Sequence, residues 1–147
     1  MSAAWRGPAG PKLRLLPERI DLGTVRGLAG PRAADASLLL GISELELTPV
    51  KLDPGSQPHL LVLGDGRSGK SSVLRAYLQE VMRTRTPAQA QIVVVDYRRS
   101  LLGEVPEEYL LHYLTSPTQA QPAIADLAGY LGTRLPGPDV TSEQLRG

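Results

Sequence analysis

"HLLVLGDGRSGKSSVLRAYLQ", residues 59–79, decides how this chain is read. A short apolar run ends at glycine, a Lys and two Ser follow, and an amphipathic stretch comes next. Gly64-Asp65-Gly66-Arg67-Ser68-Gly69-Lys70-Ser71 satisfies the pattern G-x-x-x-x-G-K-[ST] without a departure. The spacing has a physical reason. Glycines let successive backbone N–H groups curl into a concave nest around phosphate oxygens. The following helix directs its positive N-terminal end at the same anion. Lys70 would reach the β- and γ-phosphates, the Ser71 hydroxyl would ligate Mg²⁺, and Ser72 would face the α-phosphate. A chain this poor in Lys would match the pattern by chance about 0.004 times. The two rivals are a working phosphate loop and a loop that keeps the shape without binding nucleotide.

The flanks fit strand, loop, helix, strand. "HLLVLG" (59–64) suits a strand buried on both faces. Val73, Leu74, Tyr77, Leu78, Val81 and Met82 then mark one face of a helix that ends before Pro87. "QIVVVDY" (91–97) is a second apolar strand, and a crossover between parallel strands is right-handed.

Outward from this unit the signals weaken. Residues 1–11 are rich in Gly, Ala and Pro and read as a flexible lead-in holding the single Trp, Trp5. Residues 12–22 read as an extended segment broken at Pro17, and 27–36 as a loop. "SLLLGISELELTPVKLD" (37–53) follows strand alternation and predicts a hairpin or two short strands ending at Asp53-Pro54-Gly55. Residues 107–115 read as a short strand or an irregular apolar run. Ser116-Pro117 reads as N-cap and N1 of a helix with Ala120, Ile124, Leu127, Ala128 and Leu131 as its apolar stripe. Pro136-Gly137-Pro138 ends it.

The bulk numbers set limits. The chain has 147 residues, one domain's worth, and is 41% hydrophobic, enough for one core. A formal net charge of +1 is too small for a general nucleic-acid coat. There is no Cys, so neither disulfides nor thiolate metal sites arise. No apolar run reaches the ~18 residues of a membrane span, and the N-terminus lacks a secretory h-region. His59 and His112 stand outside any metal-ligand spacing, and Glu104, Glu107 and Glu108 read as a solvated cluster. Arg98 and Arg99 follow a strand's C-terminal end, where ligands bind in open α/β sheets, and are equally consistent with a solvated loop.

Asp96 is the other candidate. An apolar strand ending in Asp resembles the acidic Mg²⁺-water ligand of a second NTPase motif. It can equally cap and position the strand's end, a supporting position beside the site.

The stretch from "LLLGISELELTPVKLD" through "LGDGRSGKS" to "VVVDYRRSLLGEVPEEYL" resembles a nucleotide-binding domain of EccC proteins. These are the FtsK/SpoIIIE-type ATPases of type VII (ESX) secretion, and the details look most like the last of their tandem ATPase domains. The resemblance covers roughly residues 12–135. It implies an α/β, RecA-like P-loop fold, a mostly parallel sheet flanked by helices. It implies ATP and Mg as ligands, held through Gly64 to Ser71. It implies a motor that assembles as a hexamer with other such domains in a membrane secretion complex, on the cytoplasmic side of the inner membrane. Its substrates would be small helical proteins, with DNA not expected as a partner. In this family the strand after the P-loop helix ends in an Asp that is not the Walker B acid, which favours the positioning reading of Asp96. Nothing after Asp96 fits Walker B. The expectation is therefore the N-terminal part of such a domain, 12–147, incomplete at the C-terminus and without catalytic residues of its own. The alternatives are an FtsK-like DNA translocase domain and a non-hydrolysing docking module.

Overall fold

The computed structural model describes residues 15–30 and 37–134. The expected lead-in at 1–11 and the Pro-Gly-Pro stop lie outside the described residues. The chain divides into two compact units, one running to Thr84 and one starting at Arg85.

The first unit contains a helix, a hairpin and a longer helix: α1 (Leu22–Ala29), β1 (Leu38–Ile42), β2 (Pro49–Leu52) and α2 (Lys70–Thr84). β1 and β2 pair antiparallel, with Leu38 opposite Leu52 and Ile42 opposite Pro49. The hairpin is the one the alternation predicted, but its break falls at 43–48. Leu45 and Leu47 therefore sit in the turn, and Leu45 is 90% exposed. Ser43 N–H donates to the Thr48 carbonyl (2.8 Å), and Leu47 takes a left-handed φ of 54°. The Asp53 side chain closes the hairpin's exit, accepting from Gly55 N–H (3.0 Å) and from the Ser56 hydroxyl (2.9 Å).

α1 corrects the loop expected from Gly27. Its residues include Gly23 and Gly27, weak helix formers, so propensity alone argues against it. The Asp21 cap argues for it: its carboxylate accepts from Thr24 N–H (2.8 Å) and from the Thr24 hydroxyl. Those bonds, the hydroxyl's first, hold the Asp21 carboxyl below its ordinary pKa. Val25 then packs on Leu39, both 1% exposed, with Ile20, Leu22, Ala29 and Ile42 around them.

Glu80 of α2 is fully buried and joins three elements. Its carboxylate pairs with Arg26 of α1 (2.7 Å) and Arg83 of its own helix (2.7 Å), and accepts from Leu39 N–H of β1 (3.2 Å). Desolvation pushes its pKa up, but the bonds from Arg83, Arg26 and Leu39 N–H outweigh that and hold it low. A buried carboxylate survives only when its lone pairs are so occupied.

The expected strand at 59–64 is not one: the segment joins neither sheet. Leu61 and Leu63 are 80% and 81% exposed. A strand is defined by its ladder, and no described residue supplies one here. The expected parallel pairing of 59–64 with 91–97 is therefore absent among the described residues, and in the second unit the strand at 91–97 pairs instead with the apolar run at 107–115. β3 (Ile92–Val95) runs alongside β4 (Leu110–Leu114), from Ile92 opposite Leu110 to Val95 opposite Leu114. The expected mostly parallel sheet is thus represented by one parallel pair and one antiparallel hairpin. Among the described residues, Val94, Leu101, Val105, Leu114 and Ala120 are the buried apolar residues of this unit, while Val95 is partly exposed.

α3 (Pro117–Thr133) begins as predicted, with Ser116 as N-cap in extended conformation and Pro at the first position. The Ser116 side chain does not cap the backbone. Instead the Gln119 amide oxygen reaches back to Thr115 N–H (3.0 Å). Of its predicted stripe only Ala120 is buried; Ile124 and Leu131 are 50% exposed.

Candidate nucleotide-binding site

Residues 64–72 come together at the start of α2. Gly69 sits just before the helix with φ of 90°, a left-handed value that favours glycine. Arg67 adopts the same region at φ 62° without that freedom. Gly64 is crowded in a different way: a Cβ there would meet the Ser68 hydroxyl folded over it, and Ser68 would have to move. At Gly66 and Gly69 a Cβ would meet no protein atom within 4 Å, so the loop surrounds open space there. Ser68 N–H closes the loop on the Asp65 carbonyl (3.3 Å).

The first helical amide to bond backward is that of Val73, onto the Gly69 carbonyl (3.0 Å). Among the described residues, the amides of Lys70, Ser71 and Ser72 have no backbone acceptor, the ordinary state of a helix's first turn. Three N–H groups and the helix's positive end therefore share one side of an open loop.

The Lys70 ammonium is folded over the loop. It donates to the Gly64 carbonyl (2.7 Å), the Asp65 carbonyl and the Ser68 hydroxyl (3.3 Å). All three bonds are exposed, so water competes for each. The arrangement holds a cation and a set of free amide donors together, and an anion is the ligand such a set attracts. Among the described residues, no cluster of three or more His, Asp or Glu side chains offers a metal cage.

Asp96 belongs to the second unit and is buried, at 8% exposure. Four donors converge on it: Leu101 N–H (2.7 Å), the Tyr113 hydroxyl (2.9 Å), Arg98 N–H (3.2 Å) and the Ser100 hydroxyl (3.4 Å). Its own N–H donates to the Leu114 carbonyl (2.9 Å). Burial pushes its pKa up, and these hydrogen bonds outweigh burial and hold it below the ordinary range. The lone pairs are spent on the turn at 96–101, which supports the positioning reading over the metal-ligand reading. Tyr113 was not a candidate in the sequence; only its placement on β4 opposite Val94 brings it to Asp96. Burial and the Asp96 carboxylate raise the pKa of its hydroxyl. Arg98 and Arg99 are exposed, as are Glu107, Glu108, His59 and His112, and Glu104 is half-buried.

A family model described as the FtsK/SpoIIIE family matches residues 35–131. The chain belongs to the FtsK/SpoIIIE family. Nucleotide binding comes with that membership. The ESX-4 secretion system protein EccC4 of Mycobacterium tuberculosis is 41% identical over 139 residues, covering 95% of this chain and 11% of that protein. The ESX secretion system protein EccC of Thermomonospora curvata is 39% identical over 145 residues, covering 97% and 11%. A solved structure of T. curvata EccC, comprising ATPases 2 and 3 in complex with a signal sequence peptide, superposes with a TM-score of 0.83 at 38% identity. That match covers 97% of this chain and 25% of the solved one. The α/β P-loop fold of these ATPase domains is therefore the fold of this chain. The chain spans about a tenth of the length of the curated relatives it matches. Among the described residues, no helix is long and apolar enough to cross a membrane.

Proposed function

We propose that this chain is the phosphate-binding part of an ATPase domain in a type VII secretion motor. The observation that supports it is the loop at 64–71, with its free amides and the Lys70 ammonium, in a chain whose relatives are EccC proteins. Lys70 would exchange its loop carbonyls for the β- and γ-phosphates of ATP. The amides of Lys70, Ser71 and Ser72 would hold the remaining phosphate oxygens. Ser71 would hold Mg²⁺ against them, and the bound metal would neutralise charge on the phosphates. Asp96 would keep the end of β3 in shape without touching the ion.

The same reading assigns the larger assembly. The intact motor would form a hexamer with other ATPase domains, work at the cytoplasmic face of a membrane secretion complex, and move small helical proteins. The signal peptide bound by T. curvata EccC supports a protein substrate.

The test is a Mg-ATP titration of the 147-residue chain beside Lys70→Ala, followed by thermal shift. Wild type is expected to gain stability with nucleotide concentration, as any ligand of the folded state confers. Lys70→Ala is expected to lose affinity by at least about tenfold, with its fold unchanged. Equal stabilisation of the two proteins would sink the proposal.

A further inference from the structure

Two exposed turns of this chain carry opposite charge around apolar side chains. The first is the tip of the hairpin in the first unit, Glu44-Leu45-Glu46. Both glutamates are exposed, and Leu45 between them is exposed further than any other large apolar side chain among the described residues. The tip is held from below: Leu47 N–H donates to the Ser43 carbonyl (2.9 Å), and Leu47 takes its left-handed φ where the chain turns back. The second is the turn after β3 in the second unit, Tyr97-Arg98-Arg99. Both arginines are exposed, and Tyr97 and Leu102, which flank them in the chain, are 57% and 66% exposed. The Asp96 carboxylate holds the Arg98 and Leu101 amides (3.2 and 2.7 Å), so this backbone is fixed as well. Among the described residues, none of the four charged side chains takes part in an ion pair.

We propose that the hairpin tip of one copy of this chain docks on the Tyr97–Leu102 turn of a second copy. Glu44 and Glu46 pair with Arg98 and Arg99, and Leu45 lies against Tyr97 and Leu102. A guanidinium is a planar fork that takes a carboxylate through two parallel N–H donors. Two adjacent forks call for two carboxylates at short spacing, and Glu44 and Glu46 supply them two residues apart. Tyr and Arg on a fixed backbone are the side chains that most often carry binding energy between proteins. Such a pair also needs an apolar group to cover, and Leu45 projects between the two carboxylates. The exposed acidic pair Glu107–Glu108 lacks that feature: Tyr109 beside it is half-buried, with its hydroxyl donated to the Arg85 carbonyl (2.8 Å).

The two surfaces differ, so the contact is head-to-tail. Each copy in a pair keeps one free tip or one free turn, and the pairing propagates into a ring or an open chain. Two turns bury less than the ~1,200 Å² of a standard interface, so a single contact is weak and transient. Exposed charges set its register and its rate, and salt screens them beyond about 10 Å at 0.1 M. The contact needs no nucleotide and does not rest on the phosphate-loop reading.

The experiment is sedimentation velocity of the 147-residue chain from ~10 µM to ~1 mM, at ~0.05 M and ~0.5 M salt, without nucleotide. Wild type is expected to associate with rising concentration at low salt and to lose about fivefold or more in affinity at high salt. Glu44→Arg with Glu46→Arg, or Arg98→Glu with Arg99→Glu, is expected to weaken association at least about tenfold. The chain with all four reversed keeps the net charge of wild type and re-forms the pairs in the opposite sense. It should associate within about threefold of wild type, a recovery that overall charge cannot produce. Leu45→Ser should weaken association about fivefold and keep its salt dependence. Gln at the four charged positions tests the same pairs where a reversal disturbs folding, and should weaken association to a smaller degree. A wild-type chain that stays monomeric at ~1 mM overturns the proposal. So does association that both reversals leave unchanged, the behaviour expected if copies meet through the exposed Leu61 and Leu63 instead. Failure of the fourfold reversal to restore association, in a folded chain, would assign the two turns to other partners and overturn it equally.

Discussion

Two turns in this molecule each follow an apolar run, and each places an arginine in the left-handed region: Arg67 at φ 62° and Arg99 at φ 55°. They use their charged groups in opposite ways. In the turn after β3, the Asp96 carboxylate is buried and receives four donors from residues 98 to 113. In the glycine loop, Lys70 is tied to exposed oxygens of the loop itself, while among the described residues three amides at the helix start have no backbone acceptor. A charge saturated by shielded partners fixes structure, because removing it strands each partner. A charge that shares exposed oxygens with water can be exchanged for a ligand at little cost. The first turn is built to stay, and the second to receive something.

The sharpest way to break this comparison is Asp96→Ala. It leaves the buried Leu101 amide without an acceptor and strips bonds to a charged group, a loss of about 2–3 kcal/mol in urea unfolding. Lys70→Ala should cost less than about 0.5 kcal/mol, because its bonds are exposed. Nucleotide-induced stabilisation should survive in Asp96→Ala and vanish in Lys70→Ala. If Asp96→Ala instead keeps its stability and loses the Mg²⁺ dependence of nucleotide binding, the carboxylate is a metal ligand and the contrast collapses.

A smaller effect separates the two turns by pH. The folded-state pKa of Asp96 is depressed, so its contribution is present above the unfolded value and is lost as pH falls through the folded one. Glu80 acts in the same direction. Unfolding free energy should therefore fall below about pH 4. Asp96→Asn should flatten that acid limb only in part, since Glu80 remains. A limb of unchanged slope in Asp96→Asn would mean the carboxylate gains nothing from its four donors.

The sequence made the loop legible because its constraint is local. Two glycines, a lysine and a serine at fixed spacing are enough, and the periodicity after them located α2 to its end before Pro87. The hairpin and β3 were legible for the same reason. What escaped depended on distant partners. α1 reads as loop because Gly23 and Gly27 lower its propensity; it exists because Val25 and Arg26 find Leu39 and Glu80. Its one local signal was Asp21 followed three residues later by Thr24, a side-chain cap. The run at 59–64 reads as a buried strand from composition, yet burial needs neighbours, and none of the described residues pairs with it. The α3 stripe shows the same gap, apolar in pattern and half-exposed in fact. The Asp96 site was half legible: an Asp at a strand's end is visible, but Tyr113 reaches it only through parallel register.

That register gives the mildest test. Tyr113→Phe removes one of the four donors to Asp96 and keeps the ring. The carboxylate retains the Leu101 and Arg98 amides and the Ser100 hydroxyl, so it stays satisfied. The loss should be about a third or less of that in Asp96→Ala. The pH response should change at both ends. With one donor gone, the Asp96 pKa moves back toward its ordinary value, and the acid limb becomes shallower. At the alkaline end the raised Tyr113 pKa means that its contribution is present below the unfolded value and lost as pH rises through the folded one. Tyr113→Phe should remove that alkaline loss. Additivity gives the final discrimination. If the hydroxyl acts only through the carboxylate, Tyr113→Phe should cost almost nothing in an Asp96→Ala background, and the double mutant should unfold like Asp96→Ala alone. Full additivity would place the Tyr113 hydroxyl outside the turn's network and leave three donors, not four, to hold β3's end.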